Sequence, residues 1–225
     1  MSGNGRNSRE TRRRLIESAC RLFAEKGYRN ASISDICLNA DTNVASVNYH
    51  FGDKKGLFKQ VWQHGCDAAI EEYPVCDSKD ETNGPEAHVR SFISASVGRI
   101  FDCGAAGCFS RIMAREMAEP AGRPEGSQEH ILFSERRALR EVILRFLGSK
   151  GTERQADLCM LSIVGPCLLL ILQDPLGRES FIDEKPDPEN LEAMVDDFIR
   201  FVLAGMHAIK VSGENGKDED FSLEE

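Results

Sequence analysis

Apolar residues recur along this chain at the spacing of a helix and almost nowhere at the spacing of a strand. Leu15, Ala19, Leu22 and Phe23 stand at i, i+4, i+7 and i+8, one stripe of a helical surface. Ile33, Ile36, Cys37 and Ala40 form a shorter stripe, and Leu57, Phe58, Val61, Trp62 and Ala69 a longer one. Further helices are expected at about 86–102, 108–118, 127–148, 153–173 and 188–210. The last carries Leu191, Met194, Val195, Phe198, Val202 and Gly205 at core spacing. No segment alternates with period two, and no repeat is found. The expected fold is all-α.

The punctuation between the first stripes is specific. Gly27 after Lys26 suits a helix stop. Ser32 is an expected N-cap for a second helix. Asp41-Thr42-Asn43 breaks the pattern, and Asn43 can cap a third helix running to about Tyr49. Phe51-Gly52-Asp53 closes it, and Asp53 can cap the fourth. Two short helices joined by a tight turn, here 32–51, form the helix-turn-helix pattern. Such a motif braces one helix on the phosphate backbone and sets the N-terminal side chains of the second against base edges. Asn43, Ser46 and Asn48 supply donors and acceptors, Val47 can anchor the helix inward, and Val44 can meet a thymine methyl. His50, Lys54 and Lys55 suit phosphates, which position a protein without reading sequence. Helix N-termini near Ser32 and Lys54 would add backbone amides for phosphate.

Charge agrees with that placement. The net charge is −9, yet residues 1–60 hold eleven Lys and Arg against six Asp and Glu, a balance of +5. The remainder stands at −14. A basic end on an acidic body meets a polyanion at that end only. Residues 1–14 are polar and Arg-rich with no apolar run behind them, so no signal peptide is expected and the cytoplasm is the expected location. The longest apolar run, 158–172, is interrupted by Gly165-Pro166 and reads as a buried helix too short to span a bilayer comfortably. Eight cysteines without any CxxC spacing are expected to be reduced core residues.

Residues 11–62 resemble the N-terminal domain of TetR-type regulators. The resemblance rests on Ile16-x-x-Ala19-x-x-Leu22-Phe23-x-x-x-Gly27-Tyr28, on Ser32-Ile33-x-x-Ile36 and on Val44-Ala45-Ser46-Val47-Asn48-Tyr49-His50-Phe51, followed by Lys54, Lys55 and Leu57-Phe58. It implies a homodimeric repressor of a pseudo-palindromic double-stranded DNA operator, released by a small molecule. Its DNA-contacting set would be Ser32, Asn43, Val44, Ser46, Asn48, Tyr49, His50, Lys54 and Lys55. Many family members carry tyrosine where this chain has Asn48. Asparagine can pair with adenine bidentately, but contact with phosphate or through water is favoured here. Arg115-Glu116-Met117-Ala118-Glu119-Pro120 and Leu161-Ser162-Ile163-Val164-Gly165 resemble the effector domain of the CecR-like branch. The implied organisation is a helix-turn-helix DNA-binding domain at 8–68, a larger helical effector-binding and dimerisation domain at 86–210, and an acidic, disordered tail at 212–225.

The resemblance also implies that the helices at 153–173 and 188–210 pair with those of a second subunit. Two-fold symmetry would set two recognition helices roughly 34–36 Å apart, or a multiple. Phe109, Met113, Met117 and Phe133 are adaptable enough to line an effector cavity, with Arg115 and Glu116 orienting a polar group, although ordinary core packing explains each of them as well. Pro166 should bend its helix. Cys103 and Cys108 flank Gly104-Ala105-Ala106-Gly107 and form an alternative redox trigger, disfavoured because no basic neighbour in sequence is expected to activate either thiol. An enzyme built on Cys108 and His130, or an interaction protein without DNA binding, are the readings from other classes. No nucleophile elbow or phosphate-cradling loop supports catalysis. No cofactor is implied, and His64 with Cys66 lacks a third local metal ligand.

Overall fold

The computed structural model describes residues 3–79, 82–118, 120, 131–173 and 188–215. Among them every regular element is a helix: α1 Gly3–Asn30, α2 Ile33–Asn39, α3 Val44–Phe51, α4 Lys54–Glu72, α5 Gly84–Phe101, α6 Ala105–Ala118, α7 Ile131–Leu147, α8 Glu153–Gln173 and α9 Pro188–Asn215. The chain divides into two compact units. The first comprises Met1–Pro74, Ala95–His130 and Cys167–Phe181, and the second Val75–Ser94, Ile131–Pro166 and Ile182–Glu225.

The caps expected from sequence form in the first unit. Ser32 Oγ accepts from the Asp35 amide at 3.0 Å, Asn43 Oδ1 from Ser46 at 3.0 Å and Asp53 Oδ1 from Gly56 at 2.7 Å. Each satisfies a helix N-terminal donor that would otherwise lack a partner. Gly27 interrupts α1 with φ 77° and ψ 167°, where a side chain would be strained. The first helical segment therefore ends at Gly27, as expected, and a short helical segment follows across the kink to Asn30.

The core of this unit is an aromatic file. Phe23 of α1 meets Phe58 of α4 edge-on at 4.9 Å between centroids, and Tyr28 meets Phe58 at the same distance. Phe58 leads to Trp62 at 6.0 Å, and Trp62 meets Phe109 of α6 edge-on at 5.2 Å. Each well-oriented ring pair contributes about 0.5–1.5 kcal/mol beyond its buried area. The close approach of α4 and α6 depends on Gly65, where a Cβ would stand 2.6 Å from the Cβ of Phe109.

Two arginines bind helix ends in the same unit. Arg99 Nε donates to the Ala69 carbonyl at 3.0 Å and its Nη2 to that of Tyr73 at 2.7 Å, at the end of α4. Arg115 Nε and Nη2 donate to the carbonyls of Ala24 and Glu25, each at 2.7 Å, near the end of α1. Cations are favoured there by the terminal carbonyls and the helix dipole.

In the second unit Leu139, Val142, Ile143 and Phe146 of α7 are buried, as are Val202, Leu203 and Met206 of α9. Phe146 meets His207 edge-on at 4.9 Å and lies under the Lys210 ammonium at 5.1 Å. Thr152 and Gln155 form a reciprocal capping box at the start of α8, with the Thr152 amide donating to Gln155 Oε1 at 2.9 Å and the Gln155 amide to Thr152 Oγ1 at 3.3 Å. Pro166 is accommodated inside α8, where it removes one helical donor.

Two expectations need correction. Over Glu153–Ile171 the helix is 19 residues with mean hydropathy 1.5, long and apolar enough by length and composition alone to cross a membrane, and the expectation of a buried helix does not hold. The polar positions of its first turns do not dilute it enough, and only 28% of it is buried. The tail placed at 212–225 starts too early, because α9 continues to Asn215; residues 216–225 lie outside those described.

Gly65→Val is expected to lower stability by about 1–3 kcal/mol through overpacking against Phe109. Chemical denaturation monitored by circular dichroism checks this, and an unchanged midpoint would show that α4 and α6 do not meet closely at this position.

Candidate nucleic-acid interface

The helix-turn-helix is α2, the turn 40–43 and α3, held by α1 and α4. Ile36 and Cys37 bury the inner face of α2, and the Ser18 hydroxyl of α1 donates to the Ile36 carbonyl at 2.9 Å. Val47 anchors α3 with no exposed surface, as expected. The residues beside it then face outward: Val44 is 47% exposed and Tyr49 81%. Asn48 and Ala45 are exposed as well. Helical spacing explains this, since 44, 45, 48 and 49 share one side of the helix.

Several expected contact residues carry structural work. The side-chain oxygens of Ser32 and Asn43 are engaged as caps. Ser46 is half-buried; its Oγ lies 3.2 Å from Asn43 Oδ1 and accepts from Thr42 Oγ1 at 2.9 Å. Lys54 donates to the Arg29 carbonyl at 3.3 Å and lies 4.7 Å from the Tyr28 ring centroid. Burial there lowers its pKa from the ordinary lysine value. His50 is half-buried and meets Tyr49 edge-on at 4.9 Å, whereas Lys55 is exposed.

Sequence reasoning missed the contribution of α1. Arg12 stands over the Phe51 ring at 5.5 Å and donates to Gln60 Oε1 of α4. Arg14 pairs with Asp41 at 3.5 Å, tying α1 to the turn of the motif. Arg13, Arg14 and Arg21 line a groove of about 600 Å³ with Asn39 and Asp41, and Glu17 and Glu25 temper its charge. The Arg12-Arg13-Arg14 run was the signal available in sequence.

The expected effector residues whose side chains are described differ in their surroundings. Phe109 is core, against Trp62 and Gly65. Arg115 donates through Nε and Nη2 to the α1 carbonyls. Glu116 is buried, Met113 half-buried and Met117 42% exposed. The Phe133 side chain lies outside those described, as do His130 and therefore the imagined thiol-imidazole pair. Arg111 corrects the view that Cys108 lacks a basic neighbour: it lies one helical turn on, with Nη2 3.5 Å from the thiol sulfur. Among the described residues no group of three or more His, Cys, Asp or Glu is placed to hold a metal.

Comparison with known proteins agrees with this geometry. Residues 15–61 match the family described as bacterial regulatory proteins, tetR family, and residues 85–206 match the C-terminal domain of the HTH-type transcriptional dual regulator CecR. The probable HTH-type transcriptional regulator YttP of Bacillus subtilis (strain 168) is 41% identical over 51 residues, 23% of this chain and 25% of its own. The HTH-type transcriptional regulator AcrR of Shigella flexneri is 32% identical over 56 residues, 25% of this chain and 26% of its own. The chain thus aligns with about a quarter of the length of these curated relatives. Among solved structures, the ketosteroid transcriptional regulator KstR2 of Mycobacterium tuberculosis superposes with a TM-score of 0.62 at 21% identity, covering 86% of this chain and 93% of that one. A gamma-butyrolactone receptor (ArpA-like protein) superposes at 0.53 and 15% identity, covering 92% and 99%. These likenesses establish the fold. With both halves matched, the second over more than half the length of the chain, this protein belongs to the TetR family of transcriptional regulators and carries a CecR-type C-terminal domain.

Proposed function

We propose that the protein is a homodimeric repressor that binds a pseudo-palindromic DNA operator in the cytoplasm and is released by a small molecule. The observation that carries this reading is α3, anchored by Val47 and presenting Val44, Asn48 and Tyr49 outward. The DNA-binding domain spans 8–68 and the effector and dimerisation domain 86–210. Asn48 and Tyr49 supply the uncommitted face of α3, with Val44 suited to a thymine methyl. Asn43 retains its Nδ2 donor for DNA, Ser46 and Ser32 act at the helix ends, and His50 and Lys55 reach phosphate. Lys54 braces the Tyr28 corner and contributes charge rather than a reaching side chain.

Dimerisation is supported by large apolar side chains left open on α8 and α9. Leu161 is 70% exposed and Phe201 74%, and Leu158 is also exposed. Surfaces of this kind on a regulator are covered by a like surface on a second copy. Of the six side chains assigned to effector binding, Met113, Glu116 and Met117 are the better candidates, because Phe109 and Arg115 serve the packing of α6. The biofilm regulator IcaR of Staphylococcus aureus is described as a negative regulator, which favours repression, and it is 38% identical over 47 residues. The CecR description as a dual regulator makes activation the alternative outcome.

Fluorescence anisotropy with the DNA upstream of the protein's own gene tests the reading. Binding should fall steeply with salt, and upstream DNA should be preferred to random DNA. No preference would refute it. His50→Ala with Lys55→Ala should weaken binding to all sequences and reduce the salt slope by roughly one for each phosphate that is no longer neutralised. Asn48→Ala should change sequence preference or water-mediated affinity without loss of fold, whereas Asn43→Ala should cost about 1 kcal/mol of stability by removing the cap. Leu161→Glu with Phe201→Glu should convert the dimer into a monomer on analytical ultracentrifugation; a persisting dimer would place the interface elsewhere.

A further inference from the structure

Arg12, Arg13 and Arg14 follow one another near the start of α1, and a basic run at the DNA-facing end of a chain reads as a set of phosphate contacts. The fold gives the three side chains different surroundings. Arg13 turns back on its own helix and pairs with Glu10 and Glu17, each at 2.5 Å. Arg14 reaches Asp41 in the turn of the motif at 3.5 Å. Arg12 is half-buried and bridges two other helices. Its guanidinium carbon lies 5.5 Å from the Phe51 ring centroid at the end of α3, and its Nη2 donates to Gln60 Oε1 of α4. We propose that Arg12 is a positioning residue rather than a phosphate contact: it fixes the C-terminal end of α3 against α4 and so sets which bases α3 can reach.

The other constraints on α3 show why this one matters. Asn43 caps its first turn, and Val47 seats it with no exposed surface, both in the first half of the helix. Eight residues make too short a helix to hold its own last turn. At that end the corner into α4 is tight, since a Cβ at Gly56 would stand 2.0 Å from the Phe51 carbonyl oxygen. The Phe51 ring is half-buried and lies 5.9 Å from the His50 ring, which meets Tyr49 edge-on at 4.9 Å. The last DNA-facing residues proposed for α3 are therefore one and two positions from the ring that Arg12 covers. A planar guanidinium can stack on a ring and donate within its own plane, whereas an ammonium is a point charge.

A group that acts by placement is separable from one that acts by charge. Breaking the bridge from Gln60 through Arg12 to Phe51 leaves the number of neutralised phosphates unchanged, so sequence-independent affinity and its salt dependence stay. Base contacts need placement to within about 0.5 Å, so preference among sequences is what falls. This effect on DNA rests on the function proposed above; the hold on α3 does not.

The test uses the full chain with Arg12→Lys and Gln60→Ala, singly and together, which leaves the charge unaltered. Fluorescence anisotropy is measured over a range of salt on the upstream DNA and on random DNA. Each single change should lower the preference for upstream DNA by roughly tenfold, about the worth of one base contact, with affinity for random DNA and the salt slope retained. The double variant should be no worse than either single one, because both break the same bridge. Preference retained in either single variant, an equal loss on both DNAs, or losses that add in the double variant overturns the proposal. Amide hydrogen exchange without DNA is the second arm. Amides of residues 48–51 should exchange faster in both single variants while those of α2 keep their rates. Unchanged exchange in α3, or faster exchange throughout α1–α4, overturns the proposal as well. A wild-type protein that shows no preference for upstream DNA defeats the proposed function, and exchange then decides the hold on α3 alone.

Discussion

The seating of α6 against α1 and α4 is the packing on which the DNA-facing end depends. It is made possible by a missing side chain at Gly65, filled by Phe109 and extended through Trp62 and Phe58 to Phe23. Arg99 and Arg115 then satisfy carbonyls at the ends of α4 and α1. Those two helices support α2 and α3 in turn. A displacement of α6 therefore has a short mechanical route to α3, through packed rings and carbonyl clamps. Interiors packed this closely switch between discrete arrangements more readily than they deform.

The polar residues that mark the motif in sequence have two separate duties. Ser32, Asn43 and Asp53 hold helix ends, and Ser46 joins the Asn43 cap. A capping oxygen is engaged with backbone and cannot also accept freely from a base edge. Farther along α3, Asn48 and Tyr49 keep exposed side chains. The position where this chain departs from the common family pattern, Asn48, is thus also one that the fold leaves exposed. Lys54 illustrates the same division. It reads as a phosphate contact, yet its ammonium serves the Arg29 carbonyl and the Tyr28 ring.

Local physics made much of this protein legible in its sequence. Apolar spacing of 3.6 residues fixes helices, and Ser32, Asn43 and Asp53 fix where α2, α3 and α4 begin, because capping is an interaction within four residues. Val47 as the inward anchor and Leu57, Phe58, Val61 and Trp62 as core followed from the same periodicity. The segment 32–51 was identifiable for this reason. Contacts between distant positions carry no such local signal. Arg115 suits a ligand site as well as it suits the end of α1, and only the packing of α6 on α1 assigns it to Ala24 and Glu25. Cys108 has no basic residue beside it in the chain, whereas the turn of α6 sets Arg111 3.5 Å from its sulfur. The sequence by itself determined the helices, their caps and the family; tertiary packing decided which polar groups are structural and which face outward, because those contacts join positions far apart in the chain.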